Sequence, residues 1–109
     1  MTIGIYTIEL HLPAAHSLKA KRQVFRRLKD RLSSRYNVAV AEVPDHADLW
    51  QRGTLTVVSV AQTRDALVRL FESIYRDTEQ HLPGRIIEKH SDFIVSTDGG
   101  PRSSYEDQP

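Results

Sequence analysis

The segment Thr2–Leu12, with the sequence TIGIYTIELHL, decides the fold. Every second residue from Tyr6 to Leu12 is large and apolar, and the three residues between them are polar. Because successive side chains of a strand point to opposite faces, this pattern predicts a β-strand with one face on a core and the other in water. Pro13 ends the predicted strand, since proline cannot donate to the hydrogen-bond ladder.

The remaining sequence predicts three more strands and two helices. In chain order, the predicted elements are a helix capped by Ser17 and ending near Arg35, strands Tyr36–Val43 and Thr54–Ala61, a helix capped by Thr63 and ending near Gln80, and a strand Arg85–Val95. This β-α-β-β-α-β order predicts an α+β, ferredoxin-like domain, in which a four-stranded antiparallel sheet carries two helices on one face. We assign residues 1–97 to this single domain and expect residues 98–109 to form a disordered tail.

The composition excludes several classes of protein. The chain has no cysteine, so it can form neither a disulfide nor a thiolate nucleophile. No segment has the pattern of a signal peptide or the length of a membrane span, so we expect a cytoplasmic protein with no membrane partner. Glycine-rich phosphate loops, serine nucleophile motifs and standard metal-ligand spacings are also missing from the sequence. We therefore predict no catalytic residue, no metal and no cofactor.

The first helix is strongly basic. Residues 17–36 contain eight Lys or Arg residues against Asp30 alone, a net charge of +7, while the rest of the chain carries −6. The second helix alternates acids and bases on its outer face, as an ordinary solvated helix does. Cations in the first turns are also disfavoured by the helix dipole, and an anionic ligand would reverse that cost. The candidate nucleic-acid- or anion-binding residues are Ser17, Lys19, Lys21, Arg22, Arg26, Arg27 and Lys29.

Two alternatives to anion binding remain for this helix. Lysine and arginine are good helix formers, and the acidic remainder of the domain could neutralise them internally. The basic face could also bind a protein partner. Lys21 is a separate case, because it lies at the centre of the apolar arc of the helix. Its amine either extends past its buried stem to water or pairs, half-buried, with a carboxylate such as Glu9 or Glu42.

The loop from Asp45 to Arg52 is long for a hairpin connection. Its candidate partner-contact residues are Asp48, Trp50 and Arg52. Trp50 either caps one end of the core or anchors a partner, since tryptophan is enriched at interface hot spots. We do not predict a metal site here, although acids and His46 occur close together.

Three segments resemble a known family, the small bacterial YlxP-like proteins, which form a domain of unknown function. They are Ile8–Pro13 with Ser17–Arg22, Tyr36–Val43, and Asp48–Arg52, with the sequences IELHLP, SLKAKR, YNVAVAEV and DLWQR. The resemblance spans roughly residues 3–95 and implies a ferredoxin-like fold. It also implies a gene neighbourhood shared with translation-initiation, ribosome-maturation and transcription-elongation factors. It implies no activity, catalytic residue or cofactor.

These observations lead to three hypotheses. The first is a non-enzymatic factor that binds RNA or a ribosomal particle through the basic first helix. The second is a self-associating interaction module, such as a homodimer, that uses a sheet edge or the open sheet face. The third is an enzyme or binder for a small anion held by Ser17, Lys19 and Lys21, with Glu9 or His11 performing acid–base chemistry. The third hypothesis requires these groups to converge in one concave site.

Overall fold

The computed structural model describes residues 1–44 and 50–96 and confirms the predicted β-α-β-β-α-β order. The elements are β1 Thr2–His11, α1 Leu18–Arg35, β2 Ala39–Val43, β3 Arg52–Ala61, α2 Arg64–His81 and β4 Ile86–Val95. The four strands form one antiparallel sheet in the order β2-β3-β1-β4. The fold is therefore α+β and ferredoxin-like. The predicted tail, residues 98–109, lies outside the described residues.

Both predicted N-caps are present. The Ser17 hydroxyl accepts a hydrogen bond from the Ala20 N–H at 3.0 Å, and the Thr63 hydroxyl accepts one from the Ala66 N–H at 3.2 Å. Each cap satisfies one of the amides that the first turn of a helix leaves without a partner. The two helix starts were thus readable from local sequence.

The alternation in β1 separates the two faces of the sheet. Tyr6, Ile8 and Leu10 are buried under the helices, whereas the residues between them lie on the open face. The core lies between the sheet and the inner faces of α1 and α2. Its members outside β1 are Leu12, Ala15, Phe25, Leu28, Leu32, Val40, Leu55, Val57, Leu67, Phe71 and Ile74.

Two strand boundaries differ from the prediction by more than one residue. β2 begins at Ala39 rather than Tyr36, because the Tyr36 N–H donates to the Leu32 carbonyl and ends α1 instead. β3 begins two residues early, at Arg52, because it pairs with the last residue of β1, His11. The first difference arises from the last turn of α1, and the second arises from pairing with a distant strand.

Gly53 allows α1 to approach β3 closely. A Cβ atom at this position would lie 2.5 Å from Cζ of Phe25 and 3.3 Å from Cε of Lys21. The first of these distances is shorter than atoms tolerate, so glycine is required for this packing. The aromatic ring and the lysine stem thus pack over the start of β3.

Candidate nucleic-acid interface

Four cations form a row along the outer side of α1. At 100° per residue, Lys19, Arg22, Arg26 and Lys29 fall within an arc of about 80°, and ten residues of helix rise about 15 Å. All four side chains are exposed. We call these four residues the basic stripe. The row follows from the spacing i, i+3, i+7, i+10, which repeats near the helical period.

The part of the chain that the structure describes offers the basic stripe little compensating charge. Within residues 1–44 and 50–96, none of its four members makes a salt bridge. A groove of about 210 Å³ beside the stripe, between α1 and β2, is lined by Arg22, Arg26 and Lys29 together with Glu42. Glu42, however, lies 4.0 Å from the Lys21 amine, so its charge is shared with a cation that is not part of the stripe.

The other flank of α1 is neutralised inside the domain. Asp77 of α2 is 5% exposed and accepts a hydrogen bond from Nε of Arg31 at 2.6 Å. Nε of Arg35 lies 3.3 Å from the same carboxylate, and the Tyr36 hydroxyl donates to it at 2.9 Å. His81 is also near, with Nδ1 3.4 Å from Asp77 Oδ1. Among the described residues, internal neutralisation therefore holds for Arg31 and Arg35 through Asp77, and for Lys21 through Glu42.

The Asp77 cluster shifts the pKa values of its members. Burial alone would raise the pKa of Asp77, but hydrogen bonds from Arg31 and Tyr36 and the charges of Arg31 and Arg35 outweigh it, so the pKa lies below its ordinary value. Burial and the hydrogen bond to Asp77 raise the pKa of Tyr36. The carboxylate of Asp77 is thus held ionised, and its charge offsets the charges of Arg31 and Arg35. Asp77 was not among the predicted site residues, although an acid at the edge of the apolar arc of α2 was a usable signal.

Two of the predicted anion-binding residues are used by the fold. The Ser17 hydroxyl caps α1, and Lys21 is only 2% exposed, with its amine directed at Glu42. Lys21 is therefore buried and paired, the second of the two alternatives drawn from the sequence. Arg27 is exposed but lies on the α2 flank, about 80° from the nearest member of the stripe. We leave Ser17 and Lys21 out of the candidate surface.

The acid–base groups of the third hypothesis lie elsewhere. Glu9 and His11 are on the open face of β1, whereas Ser17 and Lys21 are on the helix side of the sheet. The Glu9 carboxylate accepts a hydrogen bond from Arg52 on the neighbouring strand. The predicted groups therefore do not converge in one concave site. Among the described residues, no group of three histidines or acids could hold a metal ion.

The loop residues have separate positions. Trp50 is 52% exposed and is not part of the hydrophobic core, so the capping interpretation does not hold. Arg52 is joined to Glu9, and the Gln51 amide donates to the Pro13 carbonyl at 3.3 Å. Asp48, like Asp45 and His46, lies outside the described residues. Neither of the two helices is long and apolar enough to cross a membrane, as far as the described part of the chain goes.

Comparison with known proteins places the chain in a family. Residues 3–91 match the profile of a family described as "Protein of unknown function (DUF503)". The chain is 34% identical to the "Uncharacterized protein YlxP" of Bacillus subtilis (strain 168) over 62 residues. The aligned residues cover 57% of this chain and 66% of that protein, which is just under two thirds of its length.

Solved structures are similar in fold alone. A mutant of SnoaB, a cofactor-independent oxygenase from Streptomyces nogalater, aligns with a TM-score of 0.51 at 10% identity and covers 91% of this chain and 97% of its own. A de novo designed protein with a ferredoxin fold aligns with a TM-score of 0.45 at 16% identity, covering 93% and 89%. The profile match and the shared sequence together confirm the YlxP-like resemblance: the chain belongs to the DUF503 family of proteins of unknown function.

Proposed function

We propose that this protein is a non-enzymatic RNA-binding factor whose basic stripe contacts the sugar–phosphate backbone. The observation that supports the proposal is the division of charge on α1. Lys21, Arg31 and Arg35 have carboxylate partners within the domain, whereas the four members of the stripe have no salt-bridge partner among the described residues. Within residues 1–44 and 50–96, the flank that faces α2 is thus neutralised and the stripe is exposed to solvent.

Stability does not account for the stripe. Like charges three or four residues apart destabilise a helix by about 0.2–0.5 kcal/mol per pair, and the stripe contains three such neighbours in succession. Lys19 and Arg22 also lie close to the positive end of the helix dipole. Phosphate groups along the stripe would convert each of these unfavourable terms into an attraction.

The expected mode of binding is independent of base sequence. The stripe consists of flexible cations without a neighbouring aromatic side chain in its arc, so it suits phosphates better than base edges. The open sheet face has no pair of aromatic residues on which bases could stack. Structured RNA, including the RNA of a ribosomal particle, supplies the required rows of phosphates. The gene neighbourhood implied by the family resemblance also favours a ribosomal partner.

A pair of matched double variants tests the proposal. Arg22→Glu with Arg26→Glu reverses two members of the stripe, and Arg69→Glu with Arg76→Glu reverses two exposed arginines of α2. Both double variants change the net charge equally. Fluorescence anisotropy with a labelled RNA hairpin, and co-sedimentation with ribosomal subunits, measure binding. We expect the stripe variant to bind at least about tenfold more weakly than the α2 variant. Equal binding by the two variants, or no binding of either RNA by the wild type, would contradict the proposal.

A further inference from the structure

The sheet face turned away from the helices has an apolar half. The register places Val60, Ile3 and Ile94 side by side across β3, β1 and β4. The next row across the sheet contains Ala39 of β2, Val58 and Ile5, and it ends at Asp92 of β4. We call this set the apolar patch; its members are Ile3, Ile5, Ala39, Val58, Val60 and Ile94.

The apolar patch is open to solvent. Val60 is 51% exposed and Ile94 is 54% exposed, and both helices pack on the opposite side of the sheet. Contiguous exposed aliphatic side chains on a folded domain mark an interaction surface. The nearest charged groups, His90 and Asp92, lie at the β4 margin and are joined to each other at 3.1 Å. The patch itself therefore carries no charge.

We propose that the open face of the sheet is the interface of a symmetric homodimer, in which two sheets stack face to face. The two-fold axis lies between the two stacked sheets, runs parallel to the strands, and passes midway between β1 and β3. It therefore places β1 of one copy over β3 of the other. Ile3 then meets Val60 of the second copy, and Ile5 meets Val58. An uncharged aliphatic patch is its own complement, as a two-fold interface requires.

The polar half of the face fits the same arrangement. Glu9 of β1 and Arg52 of β3 form a salt bridge within one copy. In the dimer, Glu9 lies over β3 of the second copy, and Arg52 lies over β1 of the second copy. The larger side chains of β4, His90 and Asp92, come over the alanines of β2. Glu9 thus faces Thr54 of the second copy and Arg52 faces His11, so no two carboxylates lie directly opposite each other. Aligned sheets pack with strands within about 30°.

The available area sets the strength of the dimer. Ten-residue strands are about 33 Å long and lie about 4.8 Å apart, so three of them together with the shorter β2 give a footprint of about 550 Å² per copy. The total of about 1,100 Å² is at the lower end of specific interfaces. We therefore expect a reversible dimer that forms at micromolar concentration, with the basic stripe accessible on the far side of each sheet.

Sedimentation velocity of the full chain, without nucleic acid, tests this arrangement from about 5 µM to about 500 µM. The variants Ile94→Lys and Val60→Lys place a charge in the patch. Val95→Lys is the matched control, because Val95 is 64% exposed but lies opposite Thr2, on the helix side of the sheet. All three positions are exposed, so the fold should persist, and circular dichroism verifies this for each variant.

We expect the wild type and Val95→Lys to shift from monomer to dimer as concentration rises. Ile94→Lys and Val60→Lys should raise the dissociation constant at least about tenfold. A wild type that stays monomeric throughout, or that grows beyond a dimer, would overturn the proposal. So would a dimer that Ile94→Lys and Val60→Lys do not weaken, or that Val95→Lys weakens equally, since the interface would then lie on an edge or on the helices.

Discussion

Replacing Asp77 by asparagine removes the charge that joins α1 to α2 while preserving the shape of the side chain. In the wild type the buried carboxylate accepts hydrogen bonds from Arg31 at 2.6 Å and Tyr36 at 2.9 Å, and Arg35 lies at 3.3 Å. An amide carries no charge to offset the two guanidinium groups, and its NH₂ group cannot accept either bond. The substitution therefore weakens the helix–helix contact at three points.

The expected loss follows from these contacts. Hydrogen bonds to charged groups contribute about 1.5–3 kcal/mol each. Arg31 and Arg35 are partly exposed and regain some hydration, so we expect a loss of about 2–4 kcal/mol in the free energy of unfolding at pH 7. For a domain of this size that loss lowers Tm by roughly 10–20 °C.

The effect of Asp77→Asn should depend on pH. Because the pKa of Asp77 is lower in the folded state than its ordinary value of 3.8, the carboxylate stabilises the fold at pH values above that value. This contribution disappears as pH falls through the lowered pKa. The difference in stability between the wild type and Asp77→Asn should therefore be largest near neutral pH and shrink in acid.

Urea denaturation at pH 7 and at acid pH measures both effects. Asp30→Asn is the control, because Asp30 is an exposed acid of α1, and it should change the free energy of unfolding by less than about 0.5 kcal/mol. If Asp77→Asn were as mild as the control at pH 7, or if its effect were the same in acid, the reasoning about the buried carboxylate would be refuted.

Three further predictions concern the core. Lys21→Ala should lower the free energy of unfolding by about 2–4 kcal/mol, because a buried stem is lost, whereas the exposed Lys19→Ala should be nearly neutral by the same denaturation assay. Gly53→Ala should lower the free energy of unfolding by about 1–3 kcal/mol, because the added methyl group clashes with Phe25. A double-mutant cycle with Phe25→Leu should show coupling between the two positions, and additive effects would contradict the clash. Burial, with a smaller contribution from a neighbouring tyrosine, raises the pKa of Tyr6 to about 12. The free energy of unfolding of the wild type should therefore fall as the pH rises above 10, and it should fall less in Tyr6→Phe. Thermal melts in alkaline buffers measure this difference.

Local patterns were sufficient to predict the fold. The alternation in β1 and the caps Ser17 and Thr63 depend only on neighbouring residues, and the structure has all three features. The start of β2 was wrong because the Tyr36 N–H ends α1 by donating to the Leu32 carbonyl. The bond from the Tyr36 hydroxyl to Asp77, 41 residues away, was not predicted either. Sequence periodicity cannot report such a contact, since it depends on how two helices meet.

The candidate interface could be predicted only in part. Helical spacing shows that the stripe residues share one side of α1, and it places Lys21 at the centre of the apolar arc. It does not show that Lys21 lies near Glu42 rather than Glu9, because that choice depends on which sheet face each carboxylate occupies. The neutralisation of Arg31 likewise required the position of α2.

The salt dependence of RNA binding tests the central claim most directly. Four phosphates neutralised on a double-stranded RNA hairpin give a slope of about −3.6 in log K against log salt concentration, or about 150-fold weaker binding at 200 mM than at 50 mM salt. Reversal of Arg22 and Arg26 to glutamate should reduce the size of the slope by about 2. A slope near zero for the wild type, or an unchanged slope in the double variant, would contradict phosphate binding by the basic stripe.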